Sequence, residues 1–205
     1  HPTMKLANLG CGSQRPQNSE WVNIDSWEDG GHPIDEPNFV FHDLRQPLPF
    51  ADESFDAVLA SHLIEHMDCQ DGLRLFREAK RILKPGGILM ISVPDASYFR
   101  RVYPEDCNKN WPRLFEVSDP PNPIPTWLEA ALWFDVHKVI LTEDALWSYF
   151  IRAGFEEPVN LRHSAHNDSV TISRPREARE DVFSQLVAQL NRLKFSLIMS
   201  ALKPL

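Results

Sequence analysis

Lys5-Leu-Ala-Asn-Leu9, running straight into Gly10-Cys11-Gly12, is the stretch on which the fold turns. A short apolar run broken by glycines predicts a strand entering a tight loop, because glycine has no Cβ and tolerates φ > 0. Downstream, Trp21-Val22-Asn23-Ile24 ends in Asp25, and Asn38-Phe39-Val40-Phe41-His42 ends in Asp43, so two further strands each stop on a carboxylate. Phe55-Asp-Ala-Val-Leu-Ala60 reads as a continuous apolar strand, of the kind buried on both faces of a parallel sheet. Between Gly72 and Leu83 the residues Leu73, Phe76, Ala79 and Leu83 fall near helical spacing, and Pro85-Gly86-Gly87 ends that run. A fifth strand, Ile88-Leu-Met-Ile-Ser-Val93, runs into Pro94-Asp95.

Strands alternating with helices predict a doubly wound, mostly parallel α/β sheet with right-handed crossovers. Ligands then belong at the carboxyl ends of the strands. A late antiparallel strand would bring the sheet to seven. Further on, Thr142 opens a capped helix that Gly154 closes, and Pro158–Arg162 with Ser169–Ser173 can pair as a hairpin. From Glu177 onward, Phe183, Leu186, Val187, Leu190, Leu193, Leu197, Ile198 and Ala201 line one helical face, which predicts a helical tail. The expected organisation is one domain over 4–175 with a C-terminal helical extension over 176–205. The domain carries an irregular insertion at 96–140 rich in proline and aromatics. A long irregular segment inside a compact domain is usually functional, so this one is expected to form a lid over the site.

At 205 residues, with 42% hydrophobic and 24% charged, the chain has the make-up of an ordinary globular domain. A net charge of −8 lacks the basic surface that draws a polyanion, which counts against general nucleic-acid binding. Cys11, Cys69 and Cys107 are odd in number and form no C-x-x-C pair, so neither a disulfide framework nor a structural zinc is indicated. A reducing, cytoplasmic compartment is the expectation. No apolar run reaches the roughly 20 residues that span a bilayer. No signal for an oligomeric state is legible.

The glycine loop Asn8-Leu9-Gly10-Cys11-Gly12 allows backbone to approach a ligand closely. Asp25, closing the second strand, is placed to accept hydrogen bonds from both hydroxyls of a ribose, and Asp43, closing the third, suits an adenine amino group. Each could instead be a turn residue bonding its own backbone. Their joint register favours the ligand.

With these motifs the sequence resembles the class I S-adenosylmethionine-dependent methyltransferases, particularly the small-molecule type with an L-G-C-G loop. The likeness spans roughly Lys5 to Asp95. It rests on Leu9-Gly-Cys-Gly12, Val22-Asn-Ile-Asp25, His42-Asp-Leu44, Leu48-Pro-Phe50, Ser54-Phe-Asp56, Glu65-His66, Glu78-Ala-Lys-Arg-Ile-Leu-Lys-Pro-Gly-Gly87 and Val93-Pro-Asp95. The resemblance implies a Rossmann-like methyltransferase fold, S-adenosyl-L-methionine as cofactor and a small-molecule acceptor. It places Asn8, Gly10, Cys11 and Gly12 by the methionine part, Asp25 on the ribose, Asp43 and Leu44 by the adenine, and Ser61 with His62 beside the methyl donor. Two features depart from the family. Asn8 stands where an acidic residue is common, and Ser13 to Trp21 leaves little room for a first helix.

His62-Leu-Ile-Glu65-His66 also matches H-x-x-E-H, the inverted zinc-peptidase motif, in which two imidazoles on one helix face bind zinc while the glutamate activates water. That zinc-hydrolase reading leaves the glycine loop and the strand-end aspartates without a purpose, so no metal is expected. A second alternative is a module that binds S-adenosylmethionine without catalysis. For transfer itself, a group must take the acceptor's proton, and His62, His66, His137 and Tyr98 are the candidates.

Overall fold

The computed structural model describes residues 4–26, 34–96, 137–164, 170–190 and 196–205. Strand β1 (Leu6–Leu9) lies between β2 (Trp21–Asp25) and β4 (Phe55–Ser61), with β3 (Phe39–Phe41) beyond β2 and β5 (Leu83–Pro94) beyond β4, all parallel. Strand β9 (Ser196–Leu202) then runs antiparallel to β5, and β6 (Glu156–Asn160) closes the seven-stranded sheet antiparallel to β9. The order is β3-β2-β1-β4-β5-β9-β6. Strands β7 (Arg162–Ser164) and β8 (Val170–Ile172) pair as a separate two-stranded sheet, so the hairpin expected between 158–162 and 169–173 is shifted along the chain: 156–160 is taken up by β9 in the main sheet, and only Arg162 of the expected first strand pairs with β8.

Alternating side chains explain why the central strands read as apolar throughout. Ala7, Leu9, Val58, Ala60, Leu89 and Ile91 belong to the core shared with helices α1 (Cys69–Ile82) and α2 (Glu143–Ala153). Leu6, Ala57, Leu59, Ile88 and Met90 face the other way, onto α3 (Glu180–Ala188) through Val182, Phe183 and Leu186. Helix α1 starts at Cys69, earlier than its apolar spacing suggests, because the Asp68 carboxylate caps the N–H groups of Gln70 and Asp71. Those bonds hold the Asp68 carboxyl below its ordinary range. Thr142 caps α2, Gly154 ends it at φ 88°, and the Phe76 and Phe150 rings meet edge-on at 5.0 Å to lock α1 against α2. Arg81 reaches from α1 to the carbonyls of Leu48 and Phe50, while Glu78 accepts the Leu48 N–H, so the turn before β4 is pinned to the helix.

Two further expectations fail. Pro85-Gly86-Gly87 is not a break between helix and strand, since β5 already begins at Leu83 and runs through it. The helical tail over 176–205 exists only as α3. Ser196-Leu-Ile-Met-Ser-Ala-Leu202 is a strand buried along nearly its whole length, with Leu197, Met199 and Ala201 on the α1/α2 side and Ile198 on the α3 side. Leu197, Ile198 and Ala201 fit a helical stripe, but between β5 and β6 backbone pairing and two apolar layers decide the matter.

The β1–β2 connection, residues 10–20, contains no helix. Buried amides secure it instead. Asn8 and Asn23 sit in register on adjacent strands, and Asn8 Nδ2 donates to Asn23 Oδ1 (3.1 Å) and to the Gln14 carbonyl (2.8 Å). Asn23 and Asn38 both donate to the Pro16 carbonyl, at 3.0 and 2.7 Å. Arg15 and Gln17 add bonds to Glu36. With no crossover helix from this connection, the face carrying Leu6 and Trp21 is covered by α3, delivered from far along the chain.

Asn23→Leu should lower unfolding free energy by about 1–3 kcal/mol in urea titration, the cost of leaving buried partners unpaired. Deleting residues 196–205 should abolish cooperative thermal unfolding, because the sheet loses its β5–β6 bridge; a wild-type melting transition in that deletion would contradict the placement of β9.

Candidate functional site

The sheet order reverses at β1 and β4, whose connections leave in opposite directions, and the carboxyl ends of these strands frame a cleft lined by Asn8, Gly10, Cys11, Gln14, Ser61 and Gln189. At its floor, Gly10 has φ +68° and donates its N–H to the Ile24 carbonyl at 2.8 Å. A Cβ on Gly10 would stand 2.7 Å from Leu63 Cδ1, so only glycine fits. Gly12, at φ +48°, donates its N–H to Asp25 Oδ2 at 2.8 Å, and a Cβ there would meet nothing within 4 Å. The Arg15 guanidinium donates to the Gly12 carbonyl at 2.6 Å and holds the loop from outside. Cys11 is buried, and that burial, reinforced by the Asp25 charge, pushes its thiol up to about 12. Ser61 Oγ is buried with no hydrogen-bond partner among the described residues.

The expected cofactor residues thus divide. Asn8, Gly10, Cys11 and Ser61 line one cleft, with Gly12 and Asp25 joined to each other at the loop. The Asn8 amide nitrogen serves the loop itself, through Gln14 and Asn23. Asp43 is half-buried beyond β3 and takes a two-pronged hydrogen bond from the Arg45 guanidinium, which holds its carboxyl down at about 2. Leu44 is buried in the core on the α1 side. Sequence reasoning passed over Gln14 and Gln189. The first lies only two residues beyond the loop and could have been included; Gln189 arrives at the C-terminal end of α3, and no local pattern announces it.

Past Ser61 the chain turns sharply. His62 takes φ +52°, a conformation that only a few non-glycine residues adopt, with its N–H bonded to the Ser92 carbonyl at 2.8 Å. Its ring reaches Ser196 Oγ at 2.9 Å through Nε2 and approaches Glu65 Oε1 to 3.2 Å through Nδ1. Residues Ile64–His66 form a single 3-10 turn, so His62 and His66 are not presented one turn apart on an α-helix, as the peptidase motif requires. The ring that meets His66 is His137, edge-on at 5.0 Å. A second cavity beside these residues is lined by Glu65, Pro94, Ala96, His137, Val139, Ile140 and Leu141. The Arg162–Asp95 ion pair, at 2.8 Å, ties β7 to the end of β5 nearby. Tyr98 and nearly all of the 96–140 insertion lie outside the described residues. No described helix is long and apolar enough to cross a membrane.

Residues 8–91 match the family model of a methyltransferase domain. A sterol 24-C-methyltransferase of Gibberella zeae is 33% identical over 104 residues, covering 42% of this chain and 27% of that protein, so the chain spans about a quarter of the curated relative. Among solved structures, an S-adenosylmethionine-dependent methyltransferase from Thermotoga maritima, described as a possible histamine N-methyltransferase, superimposes with TM-score 0.55 at 19% identity over 99% of this chain and 84% of its own. A chain from the complex of Haloferax volcanii Trm112 methyltransferase activator with a methyltransferase gives 0.52 at 17% identity, over 100% and 85%. Residues 8–91 thus carry the methyltransferase-domain match, and the chain as a whole shares the Rossmann-like fold of these methyltransferase structures.

Proposed function

We propose that the protein is an S-adenosylmethionine-dependent methyltransferase that acts on a small-molecule acceptor. The observation that carries this reading is the cleft at the switch point of the sheet, where, among the described residues, Ser61 Oγ is buried without a partner and Gly12 leaves open space. Both features suit a cofactor: an orphaned hydroxyl can bond a polar group, and a missing Cβ admits one close to the backbone. Gly10, Cys11 and Gly12 border the methionine portion with Asn8 beneath them. Asp25 takes the ribose hydroxyls, and Asp43 with Leu44 takes the adenine edge. When bound, S-adenosylmethionine supplies a methyl group on a positively charged sulfur with an excellent leaving group. The protein's own work is to align the acceptor and manage its proton.

Cys11 acts as a neutral wall, since its thiol stays protonated far above physiological pH. One of His62, His66, His137 and, from the insertion, Tyr98 takes the acceptor's proton. His62 is fixed by Ser196, while His66 and His137 are half-buried, and His137 lines the second cavity. A net charge of −8 and the likeness to a sterol methyltransferase both favour a small, weakly charged acceptor over nucleic acid. Free thiols at Cys11 and Cys69 fit a reducing, cytoplasmic setting.

Calorimetry with S-adenosylhomocysteine in the presence of chelator should give a single saturable site. Asp25→Ala should weaken it by about 1.5–3 kcal/mol with the fold intact, the usual worth of hydrogen bonds to a charged group. Unchanged affinity in the folded variant would remove Asp25 from the site. Because the Cys11 pKa is raised, its thiolate is scarce at any pH well below 12. Iodoacetamide at pH 7.5 should therefore leave Cys11 unmodified while labelling exposed Cys69, as read by peptide mass mapping.

A further inference from the structure

Glu65 is 1% exposed, and neither oxygen of its carboxylate has a hydrogen-bond partner among the described residues. His62 Nδ1 approaches Oε1 to 3.2 Å without making a hydrogen bond. A bare buried carboxylate is costly unless a positive charge or a proton compensates it. What surrounds it is a donor set. One carboxylate oxygen of Glu65 and one ring nitrogen each of His66 and His137 lie within 4.8 Å of one another.

This convergence is built into the backbone. Glu65 and His66 share the 3-10 turn after β4, and the Glu65 carbonyl accepts the N–H groups of Lys138 (2.7 Å) and Val139 (3.2 Å), which fixes His137 beside it. We propose that Glu65, His66 and His137 bind one divalent transition-metal cation of the zinc class. Two imidazoles and a carboxylate form a ligand set of borderline character that suits zinc and its first-row neighbours rather than magnesium or calcium. Tetrahedral ligands about 2.1 Å from zinc stand about 3.4 Å apart, so small side-chain rotations close the cluster around the ion. The cation supplies the charge that the Glu65 carboxylate lacks. His62, held by Ser196, then acts as a positioning residue behind Glu65.

Three protein ligands leave a coordination position open toward the second cavity, whose walls include His137, Val139 and Ile140. That position has room for a water or a single ligand oxygen. The metal site stands on geometry alone and does not depend on the transferase reading.

The test is to strip the full chain with chelator, titrate it with zinc chloride by calorimetry, and record the visible spectrum after cobalt(II) loading. We expect one zinc per chain and the absorption of a tetrahedral cobalt site. Glu65→Gln, His66→Ala and His137→Ala should each weaken zinc by about a hundredfold or more, at or beyond the upper end of what outer ligands are worth. His42→Ala, on a half-buried histidine outside the cluster that bonds the Pro47 carbonyl, should bind as wild type. Absence of stoichiometric zinc binding in the wild-type protein, or zinc binding unchanged in all three ligand variants, would overturn the site. S-adenosylhomocysteine binding separates the two proposals. If it persists while zinc fails, the metal site is wrong and the transferase reading survives; if zinc binds and it does not, the reverse holds.

Discussion

The buried amide pair Asn8–Asn23 is the constraint on which the ligand end of the sheet depends. Two polar side chains placed in register at the centre of a parallel sheet must find partners or cost stability. They find each other and the carbonyls of the very loop that joins their strands. The loop is therefore shaped by the strands beneath it rather than by a helix beyond it. Its path brings the Gly12 N–H onto Asp25, and Gly10 against Leu63.

Dispensing with a helix in this connection has a cost elsewhere in the molecule. One face of the sheet, with Leu6 and Trp21, needs a cover, and α3 provides it with Val182, Phe183 and Leu186. Because α3 ends at the cleft, Gln189 becomes part of its wall. A substitution in α3 that shifts its packing therefore reaches the loop without touching it. On the opposite face, α1 and α2 are joined by the Phe76–Phe150 contact and carry the turn before β4 with them. Those two layers fix β4, whose end positions both Ser61 and the strained His62.

The first five strands and helices α1 and α2 were legible because each carries its apolar pattern within a short window, and α2 also carries its end signals, Thr142 at one cap and Gly154 at the other. Strand β9 was not, because Leu197, Ile198 and Ala201 satisfy a helical stripe and a doubly buried strand alike, and only the presence of β5 and β6 on either side separates the two. The same distinction runs through the candidate site. The glycine loop and Asp25 are adjacent in meaning because register makes them adjacent in space. Glu65 and His137 lie far apart in sequence and meet through backbone bonds to a carbonyl, which no spacing rule encodes. The histidine motif was visible, but the neighbour of His66 was not: the 3-10 turn sets it beside His137.

The interior placement of β9 bears on how the chain reaches its native state. Ile88 pairs with Leu202 and Pro94 with Ser196, so β5 gains its second neighbour only when residues from far along the chain arrive, and β6 depends on the same strand. Contacts of such long sequence separation carry a large loop-closure entropy and slow folding. Until they form, two apolar strands present unpaired edges, a template for pairing with other chains. A second copy's Ser196–Leu202 segment matches that gap as well as the chain's own, so the step that completes the sheet is also the one at which two folding molecules would exchange strands.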